Sequence, residues 1–188
     1  HADNALLELI YEKDPDALNA PIRLNIEGTN SKYVGMTPLH FAALEGKTDT
    51  LKWLLEHYVN PEIKTNQNED AMVFAAGNSS ADKMFALLND YQFSHEPESI
   101  LPAFRNVIAK DHLSGMISLI RMGVEINSKA HEENSALHYA AHDGAINCTA
   151  WLLQNGGDPY LKNHEGLNVF ELSAQGKSTE HLKTLLDL

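Results

Sequence analysis

The chain has 188 residues, 43% of them apolar, which is enough to bury a core and too many for a chain disordered throughout. Its formal charge of −12, from 26 acidic and 14 basic residues, repels phosphate backbones and anionic lipids, so no nucleic-acid partner is expected. No apolar run approaches the roughly 18–20 residues that span a bilayer, so no membrane insertion is expected either.

In chain order, residues 3–22, DNALLELIYEKDPDALNAPI, predict a helix, an Asp-Pro break and a second helix. Residues 23–33, RLNIEGTNSKY, exceed an ordinary connection and read as an extended hairpin or a mobile loop. A period then sets in. Thr37, Asp70, Pro102, Ser135 and Asn168 stand 33, 32, 33 and 33 residues apart. Seventeen residues after each comes an apolar pair: Leu54-Leu55, Leu87-Leu88, Leu119-Ile120, Leu152-Leu153 and Leu185-Leu186. A fixed period of this size marks stacked units, each burying a face that it cannot bury alone.

Within each unit the local chemistry predicts a short helix, a break and a second helix. Thr37, Asp70, Ser135 and Asn168 are good N-cap residues, and Pro38 follows Thr37 at the first helical position, where its missing amide costs nothing. Pro102 breaks the rule in the third unit, where Ser99 is expected to cap a helix that starts about one turn early. Small pairs such as Ala42-Ala43 and Ala140-Ala141 let a neighbouring helix approach closely. "GVEINS" (123–128) and "GGDPYL" (156–161) carry turn chemistry. The architecture expected is all-α.

"TPLHFA" (37–42) and "SALHYAAHDG" (135–144) resemble the signature of the ankyrin repeat family, whose unit is 33 residues long. The resemblance implies a solenoid of helix–turn–helix units with short β-hairpin-like finger loops, and one domain over 1–188. Residues 1–33 would form a degenerate N-terminal cap repeat with a long loop, and 34–66 a repeat. Residues 67–98 and 99–131 would be degenerate repeats, 132–164 a repeat, and 165–188 the C-terminal cap. In the last unit Glu171 replaces the signature histidine. His40 and His138, as signature histidines, would bond backbone and tie adjacent loops together.

The resemblance places partner-binding positions on the concave surface. They are Tyr33, Val34, Met36, Leu44 and Glu45, then Asn66, Gln67, Glu69 and Asn78. The fourth repeat adds His131, Glu132, Asn134, His142 and Asp143, and the fifth His164, Glu165 and Leu167. The degenerate third repeat adds Glu98, Ser99, Leu101 and Lys110 in a weaker register, and the fifth also Gln175. Phe41, Phe74 and Tyr139 share one first-helix slot, where partial burial in the stack is expected. Asn127, eight residues after Leu119, resembles the ankyrin asparagines that are hydroxylated, although a turn-stabilising role is the first expectation and hydroxylation would require an animal cytosol.

No residues assemble a catalytic site. His138 and His142 stand four apart without the glutamate of a zinc protease, and no Gly-rich phosphate loop or nucleophile elbow occurs. His131, His142 and His164 read as solvated surface ahead of metal ligands or a pH sensor. Trp53 and Trp151 share a slot and are expected to pack on neighbouring second helices. Cys148, the single cysteine, reads as a buried thiol, which fits a reducing, cytoplasmic setting. The expectation is a non-enzymatic module, favoured as a monomer, without cofactor or metal. It would bind another protein that offers basic and apolar residues. Because the sequence opens on His1, the alternative is a recruiting domain of a longer enzyme or of a bacterial effector acting in a host cytosol.

Overall fold

A computed structural model of the chain describes residues 4–21, 35–91, 97–175 and 183, with backbone alone at 97–99. Two compact units divide it, His1–Ser94 and His95–Leu188. The first holds α1 (Ala5–Lys13), a 3-10 turn at Pro15–Asn19, α2 (Pro38–Leu44), α3 (Thr48–Glu56), α4 (Ala71–Ala75) and α5 (Ala81–Asp90). The second holds α6 (Pro97–Ala109), α7 (Leu113–Arg121), a 3-10 turn at His131–Glu133, α8 (Ala136–Asp143), α9 (Ile146–Gln154) and α10 (Val169–Gln175). Tyr33, Val34, the 23–33 connection, the Glu98 and Ser99 side chains and the Leu185-Leu186 pair lie outside the described residues.

The predicted caps start the first helices. Asp70 accepts the Met72 and Val73 amides at 3.0 and 3.2 Å. Thr37 and Ser135 close reciprocal boxes with His40 and His138 three residues on. Asn168 does the same with Glu171: its amide donates to Oε2 at 2.8 Å, and its Oδ1 accepts the Glu171 amide at 3.0 Å. A carboxylate thus does the imidazole's work in the last unit.

One start differs from expectation. α6 begins at Pro97, so Ser99 lies inside the helix and is not its cap. Proline is well suited to a first helical position, and Pro102, six residues in, is carried inside the helix.

First helices pack on first helices and on the second helix of their own unit: α2 meets α4 and α3, α6 meets α8 and α7, and α8 meets α10 and α9. The small residues are fully enclosed there, Ala42, Ala43, Ala140 and Ala141 among them. Second helices stack as α3 on α5 and α7 on α9, burying Leu51, Leu54, Met84, Leu88, Met116, Leu119 and Leu152. Among the described residues there is no strand. The finger loops are closed instead by repeated backbone bonds, from Thr65 to Glu69, Ala130 to Asn134 and Asn163 to Leu167, at 2.8–3.0 Å.

α1 occupies the register of a second helix. It has nine residues, as do α3, α7 and α9. Asn19 follows its first residue at the same distance as Asn127 follows that of α7. The bonds repeat as well. Asn19 Oδ1 accepts the Asn60 amide at 2.8 Å and Asn127 Oδ1 the Asp158 amide at 2.9 Å. Asn60 and Asp158 then each accept the amide two residues on, from Glu62 and Tyr160, both at 2.9 Å. The linked residues are 41 apart in one case and 31 in the other. The extra ten lie in the long connection after Pro21. Side chains agree: Tyr11 sets its ring edge-on to His57 and Trp53 of α3, and Thr50 of α3 donates to Asn4 Oδ1 at 2.9 Å.

Candidate functional site

In the second unit, the first helices and the fingers enclose a polar recess of about 390 Å³. α8 supplies Tyr139 and His142, α6 supplies Arg105, and the finger turns supply His131, Glu132, Asn134 and Glu165. Local chemistry fixes this wall. Tyr139 donates to the His131 carbonyl at 3.1 Å, and the Arg105 guanidinium lies 5.5 Å above its ring. Asn163 bonds Asn134 Oδ1 at 3.1 Å, and the His164 amide reaches the Glu132 carbonyl at 3.0 Å, joining two fingers. Lys129 bridges the same fingers, pairing with Glu133 at 3.0 Å and bonding the Lys162 carbonyl at 2.9 Å.

Glu132 and Glu133 hold left-handed backbone, at φ 61° and 55°. Glu133 stands where Asn68 and Gly166 stand in the other fingers, which share that conformation.

Of the predicted contact residues, His131, Glu132, Asn134, His142 and Glu165 meet in the recess. Asp143 supports it from beside His142, with Oδ1 2.8 Å from Nδ1. His164 turns its Nδ1 to the Glu132 carbonyl, and Leu167 lends its carbonyl to His138, so both tie fingers together. His131 and His164 both lie against Glu132, at its carboxylate and its carbonyl, while His142 pairs with Asp143. Among the described residues no group of three or more His, Cys, Asp or Glu is placed to hold a metal.

In the first unit, Glu45, Asn66 and Gln67 are exposed, Leu44 and Glu69 half-buried. Asn78 is taken up in packing: its Nδ2 bonds the Leu44 carbonyl at 3.2 Å and its Oδ1 accepts the Ser80 amide. Met36 corrects the expectation outright. Its side chain is fully enclosed, because an apolar residue just ahead of an N-cap turns back onto the helix that the cap begins.

Arg105 and Asn163 were missed in the sequence. The first sits in "PAFRNVIAKDH", which lost its signature, and the second reads as an ordinary turn residue. Asn127 is exposed, with Nδ2 on the Gly156 carbonyl at 3.0 Å and Oδ1 on the Asp158 amide. Cys148 is buried as expected, and burial with Asp111 beside it drives its pKa far upward.

The family model described as "Ankyrin repeats (3 copies)" matches residues 2–96 and 106–188. The chain belongs to the ankyrin-repeat family. Its fold class is therefore the all-α repeat solenoid, and ankyrin repeats are non-catalytic units that generally bind other proteins. Among its relatives, a putative ankyrin repeat protein, FPV115, of fowlpox virus is 30% identical over 63% of this chain and 21% of its own length. The ankyrin repeat domain-containing protein SAT10 of Stachybotrys chartarum is 28% identical over 80% of this chain and 8% of its own. The ankyrin repeat and KH domain-containing protein mask-1 of Caenorhabditis elegans is 25% identical over 89% and 6%. The chain thus spans about a fifth or less of these relatives. Among the described residues no helix is long and apolar enough to cross a membrane.

Proposed function

We propose that this chain is a non-catalytic protein-binding module whose contact face in the second unit is the recess around Tyr139. One observation carries the reading. Arg105, Glu132, His142 and Glu165 are exposed around a concavity, while the buried His138 and Asn163 are consumed in holding the repeats together. Exposed side chains on a rigid, repeat-borne scaffold are the economical place for specificity. Two glutamates on the rim, with Asp143 beside His142, suit a lysine or arginine of the partner, and the overall charge of −12 favours its approach. Arg105 supplies the counterpart for one acidic group. A reducing compartment fits the buried thiol of Cys148.

The test is affinity capture with the native chain beside the variant Arg105→Ala, Glu132→Ala, His142→Ala, Glu165→Ala. Bound protein that depends on these four side chains supports the recess. A partner retained equally by the variant removes it. A second reading, that the module recruits substrates for a catalytic domain in the same polypeptide, is favoured by relatives many times longer than this chain.

A further inference from the structure

Asn155 and Gly156 are the single Asn-Gly pair of the sequence, and they form the turn that follows α9. Both are exposed, and Gly156 holds left-handed backbone at φ 94°. A Cβ added at 156 would meet no atom within 4 Å, so nothing crowds that side of the Gly156 nitrogen. The equivalent turns differ at one atom. Two residues after α3 and α7, the amides of Tyr58 and Gly123 donate to the Leu55 and Ile120 carbonyls at 3.3 and 3.0 Å. The Gly144 amide, in the Asp143-Gly144 pair, is likewise tied to the Ala140 carbonyl. Among the described residues the Gly156 amide makes no hydrogen bond.

We propose that Asn155 is a site of self-modification, converted to aspartate and isoaspartate by ring closure with Gly156. The step needs only the pair and solvent. Hydroxide takes the Gly156 amide proton, and the nitrogen bonds to Asn155 Cγ. The Cγ–Nδ2 bond breaks, and the departing nitrogen takes a proton from water to leave as ammonia. Water then opens the cyclic imide. Addition at Cγ gives aspartate, whereas addition at the main-chain carbonyl gives isoaspartate, with the chain rerouted through the side chain. Glycine favours closure because it has no Cβ to crowd the ring. One restraint opposes it: Asn155 Nδ2 donates to the Trp151 carbonyl at 2.7 Å. Breaking a single exposed bond of this kind slows closure about tenfold at most, and the last turn of a helix opens readily.

The product loosens a tie between turns. Asn127 Nδ2 donates to the Gly156 carbonyl at 3.0 Å, and the Gly157 amide donates to the Leu152 carbonyl at 2.7 Å. Isoaspartate inserts one backbone carbon ahead of both bonds. Either product also sets a carboxylate at the negative end of α9.

The test incubates the native chain under warm, mildly alkaline conditions and follows the peptide carrying residue 155 by mass spectrometry. Amide-to-acid conversion is expected there, with isoaspartate as the larger product and a rate that rises with hydroxide. It should run about tenfold or more faster than at Asn66, which is also exposed but precedes Gln67 and not a glycine. Asn155→Gln, which would have to close a larger ring, stays unconverted. The converted fraction, separated by its extra negative charge, should melt about 3 °C lower than the fresh chain. Conversion in urea but not in the folded chain overturns the proposal, as does a rate at Asn155 no greater than at Asn66. A converted fraction that melts like the fresh chain overturns the loosened tie.

Discussion

The imidazole of His138 joins two repeats: its Nε2 donates to the Leu167 carbonyl at 3.0 Å, while its Nδ1 accepts the Ser135 amide at 3.2 Å. One side chain thereby starts its own helix and fixes the next finger. His40 forms the same box with Thr37, at 3.0 Å, but among the described residues its buried Nε2 makes no hydrogen bond corresponding to that of His138. His138→Ala leaves both the Ser135 amide and the Leu167 carbonyl without this partner, so a loss of about 2 kcal/mol is expected in urea unfolding. His138→Gln, which keeps the box in the way Glu171 does, should lose about half as much. Equal stabilities of all three forms would refute the tie.

The same geometry sets a pH dependence. Nδ1 can accept an amide only when it carries no proton, and burial is the main cause of the lowered pKa of both His40 and His138. The unfolded chain therefore takes up protons first as pH falls through 6.5, the ordinary histidine value. Their contribution is complete above that value and declines below it. Asp70, whose pKa burial raises above 3.8, acts in the opposite sense and at lower pH. Stability measured at pH 7.5, 6 and 5 should fall toward acid. A His40→Gln, His138→Gln double variant should flatten the decline.

At the finger tip, Glu133→Gly should stabilise the protein by about 0.5 kcal/mol. Relief of left-handed backbone is worth about 1–2 kcal/mol. The added entropy of glycine in the unfolded chain returns about 0.5–1, and the exposed pair with Lys129 is worth a few tenths at most. Thermal melts of the two forms decide it, and a lower melting temperature contradicts the balance.

Asp111 caps a helix of the next repeat. Its Oδ1 accepts the Cys148 amide at 2.9 Å, and its Oδ2 accepts the Asn147 amide and side chain at 3.2 and 2.7 Å. Asp111→Ala should cost about 1–2 kcal/mol. Cys148, buried with its pKa driven up, is alkylated only when the helix opens. Iodoacetamide labelling should therefore accelerate in the variant and stay negligible in the native chain below pH 8.

The repeat period shows in plain spacing, and the caps at Thr37, Asp70, Ser135 and Asn168 were legible because each depends on contacts close in sequence, whereas the tie from His138 to Leu167, 29 residues on, was implied by the resemblance alone. What escaped depends on contacts between successive repeats or on lost signatures. Arg105 lies in a repeat without the Leu-His pair, so nothing in its neighbourhood marks it as the cover of Tyr139. Met36 was misplaced because a finger position and an inward-turning residue ahead of a cap look alike in a single sequence. The 3–22 segment read as a helix pair, whereas Pro15–Asn19 forms one 3-10 turn. The Asn19–Asn60 bond reveals its register, which the contacts of Tyr11 and Asn4 with α3 support.

The central claim, that exposed side chains of the recess bind a partner protein while the buried signature holds the scaffold, is tested most directly by calorimetric titration. The titrant is the captured partner, and the cells hold native chain and the four-alanine variant at Arg105, Glu132, His142 and Glu165. Affinity falls about 100-fold or more in a four-alanine variant that still melts cooperatively, and stays full in the exposed α5 control Lys83→Ala. Unchanged affinity in a folded four-alanine variant would contradict it.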